Sequence, residues 1–536
     1  MEFDNQQVWI GVEDLTNDKA FVEQANQEFP AKLTDALQQE DGGFTANRRD
    51  FLKYLGFGVG AATVAASCEI PIKRAIPYVV KPDSIVPGVA NYYASSFVNG
   101  SDYVSVLVKT REGRPIKIEG NTLSKVTNGA TSARAQAAVL SLYDTNRIQE
   151  PASVQGEKIA KTTWANLDTA VKGKLAGGQN VIVSHTIMSP TTRAAIADFQ
   201  KKYPNTKVVV YDPVSSAAIL QANDVNFGVR AIPDYAFDKA DVIVSFNADF
   251  LGTWISPVEF AGQYAKNRKV NTENPKMSRH IQVESHMSMT GSNADNRILV
   301  KPSEQGAAIQ ALYNEISGTG GATNINAKAA KAIKKVAAEL LAAKGKSLVV
   351  SGSNNVGEQI LINMINAALN NYDETISFKA ANLMRQGDDV SVQNLMNEIS
   401  GSTNVFILNC NPVFELPNGD KFAAALKKAG LSLSFNQTMD ETSAACQYVA
   451  PANHFLESWG DANPKMGHYS LIQPTIAPLF DTRQAEQSLL TWAEVAPQTE
   501  SPMYDYVRSV WQGNMFPKQK FLRRLFHLFQ KHHHAT

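Results

Sequence analysis

Short apolar runs that alternate with helix-like segments dominate the middle of the chain. The runs are rich in valine, isoleucine and leucine and lie at residues 180–184, 207–211, 241–246, 280–284, 347–351, 404–409 and 431–435. The segments with helical character include residues 195–202, 307–316, 327–344 and 421–429. Bounded apolar runs separated by helices are typical of parallel sheets that helices cover on both faces. The pattern therefore predicts an α/β fold.

A β-hairpin is predicted ahead of this region. Residues 103–109 alternate and are rich in valine, and residues 115–119 form the second strand after a turn at Gly113. Four prolines between residues 69 and 92 indicate an extended linker, because proline blocks helix continuation. The resulting division of the chain is an N-terminal arm at 1–46, a signal region at 47–68, the linker at 69–92, the α/β region at 93–500 and a C-terminal tail at 501–536.

The signal region resembles a twin-arginine (Tat) export signal. A weakly hydrophobic run at residues 54–67 follows the pattern residues Arg48, Arg49, Phe51, Leu52 and Lys53. Such a signal addresses a protein that crosses a bacterial membrane already folded. The apolar run is shorter than the about 20 residues that a membrane span needs. The alternative interpretation is a buried helix that happens to begin with two arginines.

Cys68 directly follows small residues at the end of the signal region. This position resembles a bacterial lipoprotein cleavage site, which predicts lipidation of Cys68. The alternatives are a small apolar residue at the end of a signal helix, or a residue removed with the signal. The sequence leaves all three open.

Composition narrows the function classes. The 536 residues carry 51 basic and 51 acidic side chains, so no net charge attracts the chain to nucleic acid. The three cysteines, Cys68, Cys410 and Cys446, form no CxxC pattern. This excludes a disulfide scaffold, a c-type haem and an all-cysteine iron–sulfur cluster built by this chain alone.

Several segments resemble the molybdopterin oxidoreductases. They are Gly-Arg-Pro-Ile-Lys-Ile-Glu-Gly-Asn at residues 113–121 and the stretches at 133–137, 142–144, 240–249, 290–297, 440–442 and 455–462. Together they cover roughly residues 90 to 495. The resemblance implies a fold of several subdomains, with parallel sheets covered by helices and a small N-terminal β-hairpin region.

The departures from that family concern its cofactors. Where cluster-bearing members have cysteines that hold a 4Fe-4S cluster, this chain has Val104 and Ser132. Neither side chain can replace a thiolate as an iron ligand. No metal-ligand motif and no set of phosphate-binding glycine loops was recognised either. The resemblance, with these losses, implies that this chain holds no cofactor and has no catalytic residue of its own.

Polar residues near predicted strand ends form the remaining candidates for a ligand site. One group consists of Glu457, Asp461 and His468, and another of Asn409, Asn411 and Asp440. Such residues could line the crevice at the carboxyl ends of parallel strands, where α/β proteins bind ligands. They could equally serve backbone turns.

The other residues considered are interpreted as structural. His185, His280 and His286 lack the spacing of metal ligands, and Cys410 and Cys446 are expected to be buried thiols. Gly352 follows a predicted strand and is expected to form a turn.

The residues before the signal narrow the resemblance further. Trp9, the stretch at 13–21, the signal itself and Pro77-Tyr78-Val79 resemble the large iron–sulfur subunit of bacterial alternative complex III, a quinol:electron-acceptor oxidoreductase. In that family the first half has lost its molybdopterin cofactors and a ferredoxin-like second half holds the clusters. This chain resembles the first half. Its tail could be an amphipathic helix, or could reflect a truncation or a split gene.

This resemblance implies a non-catalytic subunit on the periplasmic side of the inner membrane. Its expected partners are a ferredoxin-like iron–sulfur domain or subunit with 4Fe-4S and 3Fe-4S clusters, multihaem cytochrome c subunits and an integral membrane quinol-binding subunit. The alternative is an active periplasmic molybdopterin-dependent oxidoreductase. A periplasmic binding protein is a third interpretation, which the α/β architecture allows but no motif supports.

Overall fold

The computed structural model describes residues 85–86, 88–156, 158–272 and 275–515. The twin-arginine residues Arg48, Arg49, Phe51, Leu52 and Lys53, the lipidation candidate Cys68 and the N-terminal arm lie outside the described residues. So do most of the predicted linker and residues 516–536 of the tail.

The strands, numbered in chain order, are β1 (Ala90–Asn99), β2 (Asp102–Arg111), β3 (Arg114–Gly120), β4 (Ala152–Gln155), β5 (Lys158–Lys161), β6 (Gln179–Ser184), β7 (Thr206–Val210), β8 (Ile232–Tyr235), β9 (Val242–Phe246), β10 (Arg279–Glu284), β11 (Asn296–Leu299), β12 (Ser347–Ser351), β13 (Ile376–Asn382), β14 (Thr403–Leu408), β15 (Leu431–Ser434), β16 (Tyr448–Val449), β17 (Gly460–Lys465) and β18 (His468–Ile472).

The α-helices are Ala133–Leu142, Trp164–Leu175, Pro190–Lys202, Ala217–Phe227, Pro257–Lys266, Met289–Ser292, Gln305–Ser317, Ala327–Ala342, Val356–Ala368, Asp389–Glu398, Pro412–Glu415, Gly419–Leu426, Glu441–Ala445, Ala485–Trp492 and Pro502–Val510. Short 3₁₀ helices span Phe237–Lys239, Pro302–Glu304 and Phe455–Glu457, and a π-helical turn spans Trp511–Met515.

The first three strands form an antiparallel sheet in the order β1-β2-β3. The β2–β3 hairpin confirms the prediction, and its turn places Glu112 and Gly113 at positive φ. β1 begins at Ala90, so the last three residues of the predicted linker belong to this sheet. Its buried valines pack against the helix Ala133–Leu142.

A seven-stranded sheet has the order β5-β4-β16-β15-β14-β6-β7. From β16 to β7 neighbouring strands are parallel, whereas β4 and β5 form an antiparallel edge. Ile182, Phe406 and Leu433 point into one core, and their chain neighbours Val181 and Val405 point into another. Both cores contain helix residues, so helices cover both faces, as the continuous apolar runs predicted.

A parallel four-stranded sheet has the order β11-β10-β9-β12. Its strands are again apolar on both faces, since Val244 and Ile243 belong to different cores. The remaining strands form an antiparallel four-stranded sheet in the order β18-β17-β13-β8. The predicted α/β fold with parallel sheets and an N-terminal hairpin is confirmed.

Candidate functional site

A cavity of about 650 Å³ lies at the carboxyl edge of the seven-stranded sheet. Its wall includes the residues that directly follow β6, β14 and β15, among them His185, Asn409 and Phe435. The turn between β1 and β2 and the helix Ala133–Leu142 contribute further lining residues. Ligands of parallel α/β sheets bind at this edge, and small-molecule sites commonly measure about 300–1,000 Å³. This cavity is therefore the candidate site.

A hydrogen-bonded cluster of three side chains stands at this wall. His185 Nε2 lies 2.8 Å from Glu415 Oε2, and the Tyr211 hydroxyl donates to the same carboxylate oxygen. Burial alone would raise the pKa of Glu415, but hydrogen bonds from His185, Tyr211 and the Asn411 backbone leave it below its usual range. A carboxylate only accepts, so His185 Nε2 carries the hydrogen of this bond. His185 is thus fixed in one orientation by Glu415.

Tyr211 acts only as a donor in this cluster. Burial raises its pKa, and the neighbouring Cys410 and Glu415 raise it further, so the phenol stays protonated. Its ring also packs edge-to-face against the His185 imidazole, with 5.0 Å between ring centroids.

The structure brings Asn409, Asn411 and Asp440 to this cavity, as the strand-end prediction indicated. Each also serves the local backbone. Asn411 Oδ1 accepts from the Thr442 hydroxyl at 2.6 Å, and Asp440 caps the helix Glu441–Ala445 by accepting from the Ser443 N–H at 2.7 Å. Asn409 has φ +52°, a left-handed conformation that asparagine tolerates. Burial raises the pKa of Asp440.

The other predicted group is not brought together. Glu457 forms a buried ion pair with Arg147, with contacts of 3.1 and 2.7 Å. Asp461 accepts hydrogen bonds from Ser189, from Thr191 and, at 2.7 Å, from the Trp511 indole. His468 lies on β18, and neither it nor the two carboxylates lines the cavity. Of the two roles that the sequence left open for this group, the structure favours the structural one for Glu457 and Asp461, whose carboxylates are taken up by these contacts.

Two buried histidines are held as neutral rings. His454 lines the cavity, accepts the Leu456 N–H at Nδ1 and lies 2.9 Å from the Ser141 hydroxyl through Nε2. Burial lowers its pKa to about 4, and the nearby Arg147 adds to the shift. His280 is fully buried next to Tyr264. Burial likewise lowers its pKa to about 4.

Cys410 and Cys446 are buried, as predicted. Cys410 lines the cavity and lies 3.5 Å from the Val183 carbonyl oxygen. Burial raises the pKa of both thiols well above the usual range, so neither is a thiolate at neutral pH.

Val104 and Ser132, the two positions that the sequence resemblance matched to cluster cysteines, have ordinary structural roles. Val104 is buried in the core beneath the N-terminal sheet. Ser132 is the N-cap of the helix Ala133–Leu142, and its hydroxyl accepts from the Ala135 N–H at 3.1 Å.

Gly352 is required by a close backbone approach rather than by a ligand. A Cβ at this position would lie 2.4 Å from the Asn247 carbonyl oxygen, and the Gly352 N–H donates to the Phe246 carbonyl at 2.9 Å. His286 is exposed on the loop after β10.

The cavity residues do not fit a phosphorylated molybdopterin. Among the residues that the structure describes, no three His, Cys, Asp or Glu side chains are placed to hold a metal ion. Of the described residues that line the cavity, Arg134 is the single arginine, and its guanidinium pairs with Asp102. The wall also carries Glu415, Asp440 and Glu486, which would repel a pyrophosphate.

Sequence reasoning did not single out Glu415, Asn436 and Asn453, which line this cavity, or Tyr211, which donates to Glu415. Glu415 and Asn436 follow the predicted strands 404–409 and 431–435 closely. Their position after these strands could have identified them, because residues that follow parallel strands lie at the carboxyl edge of the sheet.

Comparison with known proteins supports the fold assignment. No protein-family model matches the chain. The chain is similar to a protein of Nitratidesulfovibrio vulgaris named "Menaquinone reductase, molybdopterin-binding-like subunit", with 23% identity over 509 residues. The aligned region covers 83% of this chain and 71% of that protein. Among the described residues, no helix combines the length and hydrophobicity that a bilayer crossing demands.

Among solved structures, acetylene hydratase from Pelobacter acetylenicus, a molybdopterin-family enzyme, matches with a TM-score of 0.59 and 10% identity. The match covers 75% of this chain and 69% of the hydratase. The chain therefore has a molybdopterin oxidoreductase-like fold.

Proposed function

We propose that this protein is a non-catalytic subunit of a quinone-linked respiratory electron-transfer complex. The observation that carries the proposal is the cavity wall, which offers neither a thiolate nor a cationic cradle for phosphates at the edge where a ligand of this fold would sit. The similarity to a menaquinone reductase subunit called molybdopterin-binding-like supports the link to quinone chemistry.

The complex that fits best is alternative complex III. The motifs before and within the signal region resemble its large iron–sulfur subunit, and the same resemblance matches Val104 and Ser132 to cluster cysteines that this chain lacks. In this assignment the 4Fe-4S and 3Fe-4S clusters belong to a ferredoxin-like domain or subunit. Multihaem cytochrome c subunits and an integral membrane quinol-binding subunit complete the electron path, and the complex faces the periplasm.

The α/β body would then act as a rigid support. Its sheets have apolar residues on both faces and are covered by helices, which gives a framework that resists deformation. Electron transfer between clusters and haems depends on fixed distances. A rigid subunit that docks the cluster-bearing and haem-bearing partners keeps those distances constant without taking part in the chemistry.

Purification of the native membrane complex through an affinity tag on this chain tests the proposal. We expect iron and haem on separate polypeptides, quinone-linked activity in the complex, and no molybdenum, tungsten or pterin on this chain. Metal analysis, pterin fluorescence after oxidation and mass spectrometry of the partner bands measure these quantities. Stoichiometric molybdenum and pterin on this chain would make it an active oxidoreductase, and recovery of the chain without any redox partner would also contradict the proposal.

A further inference from the structure

The outward side of the helix Ala327–Ala342 carries a row of exposed lysines. The inward side packs into a core of the parallel four-stranded sheet through five buried apolar residues, Ala329, Ile333, Val336, Ala337 and Leu340. The opposite side exposes Lys328, Lys331, Lys334 and Lys335. Residues three, four and seven positions apart share one side of a helix. These four lysines therefore form one surface, which we call the lysine face.

The lysine face concentrates positive charge on a chain that has no net charge. Residues 327–346 hold six lysines and one glutamate, whereas the whole chain has 51 basic and 51 acidic residues. The glutamate, Glu339, pairs with Arg279 at 3.3 Å. Lys344 and Lys346 are exposed just beyond the helix. Among the residues that the structure describes, none of the six lysines has an ion-pair partner, so their charges can attract an anionic surface.

The shape and composition of the lysine face indicate which anionic surface it fits. The helix has 16 residues and is about 24 Å long. Between Lys328 and Lys335 the other residues that reach the surface are alanines, so no side chain stands above the lysines. The helix contains no arginine and no aromatic residue. Protein interfaces are enriched in those residues and depleted in lysine, whereas anionic lipids attract clustered lysines without a shaped contact.

We propose that the lysine face lies against the anionic headgroups of a lipid bilayer. The contact is electrostatic and reversible, and it holds the body of the protein in one orientation on the membrane. The choice of a bilayer rests on the proposed function, which assigns the chain to a membrane complex. A fixed orientation would help such a subunit to present its docking surfaces to partners in the same membrane.

The test measures binding of the purified full-length chain to lipid vesicles. Vesicles of phosphatidylcholine mixed with phosphatidylglycerol supply the anionic surface, and vesicles of phosphatidylcholine alone supply the neutral one. Flotation on a density gradient separates bound from free protein. We expect binding to the anionic vesicles only, and weaker binding at high salt because salt screens exposed charges. Equal binding to both kinds of vesicle would overturn the proposal.

A fourfold variant removes the charge of the lysine face: Lys328→Gln, Lys331→Gln, Lys334→Gln and Lys335→Gln. Glutamine is a good helix former, so the variant should melt at the same temperature as the wild type. Each lysine near an anionic bilayer contributes attraction, and the loss of four should weaken binding at least about tenfold. Replacement of the same four lysines by arginine keeps the charge and should preserve binding.

The matched control removes four charges from exposed sites elsewhere: Lys172→Gln, Lys174→Gln, Lys427→Gln and Lys428→Gln. The net charge changes by the same amount, but the lysine face stays intact, so binding should remain close to that of the wild type. Both variants keep the C-terminal tail, and any lipid contact of the tail therefore cancels in the comparison. Equal losses in the two variants would show an effect of net charge alone and would overturn the proposal.

Two other results would also overturn the proposal. One is vesicle binding by the lysine-face variant that equals that of the wild type. The other is loss of partner subunits from the native complex of this variant with unchanged vesicle binding, which would assign the lysine face to an acidic protein.

Metal and pterin analysis decides the proposed function separately from the vesicle experiment. Molybdenum and pterin on a chain whose lysine face binds anionic vesicles would refute the proposed function alone. A complex of the expected composition whose chain fails the vesicle experiment would refute only the lipid contact.

Discussion

At the scale of single residues, one electrostatic contact that supports the fold is the buried pair between Arg147 and Glu457. Both residues are 4% exposed. Glu457 also accepts the backbone N–H groups of His454 and Leu479, at 2.8 and 3.0 Å. Removing the arginine would leave a buried carboxylate without its counter-charge, which is costly where water cannot reach it.

We therefore expect Arg147→Met to lower the free energy of unfolding by about 3–5 kcal/mol. Urea denaturation followed by circular dichroism measures the change. Lys379→Met serves as the control, because it breaks an ion pair with Asp373 whose side chains are 83% and 72% exposed, and such pairs contribute less than about 1 kcal/mol. Equal effects of the two substitutions would show that Arg147 is not a structural counter-ion.

His280 predicts how acid affects stability. Its pKa is about 4 in the folded protein and about 6.5 in the unfolded chain, so the unfolded state binds the extra proton. Protonation of the unfolded chain therefore lowers the free energy of unfolding, by at most about 3 kcal/mol in total. The stability is fully present above pH 6.5 and is lost as the pH falls towards 4. His280→Phe should flatten the pH dependence of the unfolding free energy in this window, by up to about 1.4 kcal/mol per pH unit. Parallel curves for wild type and variant would contradict the lowered pKa.

The residue scale also shows what sequence patterns could identify. Asn411 and Asp440 were recognised because they follow apolar runs, and parallel strands bring such positions to one edge. Glu457 and Asp461 were grouped by closeness in sequence alone. Their partners, Arg147 and Thr191, lie some 300 residues away in the chain, and no local pattern indicates a partner at that distance.

At the scale of elements, the buried parallel strands were predictable and the antiparallel four-stranded sheet was not. Strands such as β9 and β12 are apolar on both faces and stand out as short runs. β8 and β17 contain Pro233 and Pro464, which argue against a strand because proline cannot donate to the ladder. Tertiary packing overrides that local signal here.

Gly352 lies where the ends of the parallel strands β9 and β12 approach each other closely, and a substitution there measures how little space remains. Gly352→Ala would push a methyl group against the Asn247 backbone, and we expect a loss of about 1–3 kcal/mol in unfolding free energy. Gly173→Ala is the matched control, because Gly173 lies in the helix Trp164–Leu175 with nothing within 4 Å of an added Cβ. That variant should gain about 0.5–1 kcal/mol. Thermal denaturation of both proteins gives the comparison, and opposite signs are the expected result.

At the scale of the whole molecule, the twin-arginine interpretation predicts where the protein accumulates. Arg48→Lys/Arg49→Lys keeps the charge but removes the arginine pair that defines the signal. We expect the doubly substituted protein to remain in the cytoplasm, whereas Lys53→Arg leaves export intact. Cell fractionation with immunoblotting measures the distribution. Unchanged export of the double variant would favour the alternative of an ordinary helix.

The order of the seven-stranded sheet has a consequence for how the chain acquires its structure during synthesis. β6 pairs with β14, more than 200 residues later, and the whole parallel four-stranded sheet is inserted between them. A nascent chain therefore exposes the apolar faces of β6 and β7 until residues beyond 403 leave the ribosome, while the inserted sheet has all its strands much earlier. Folding should proceed from the middle of the sequence outward, and the unfinished N-terminal segment is the stretch that a chaperone would have to hold.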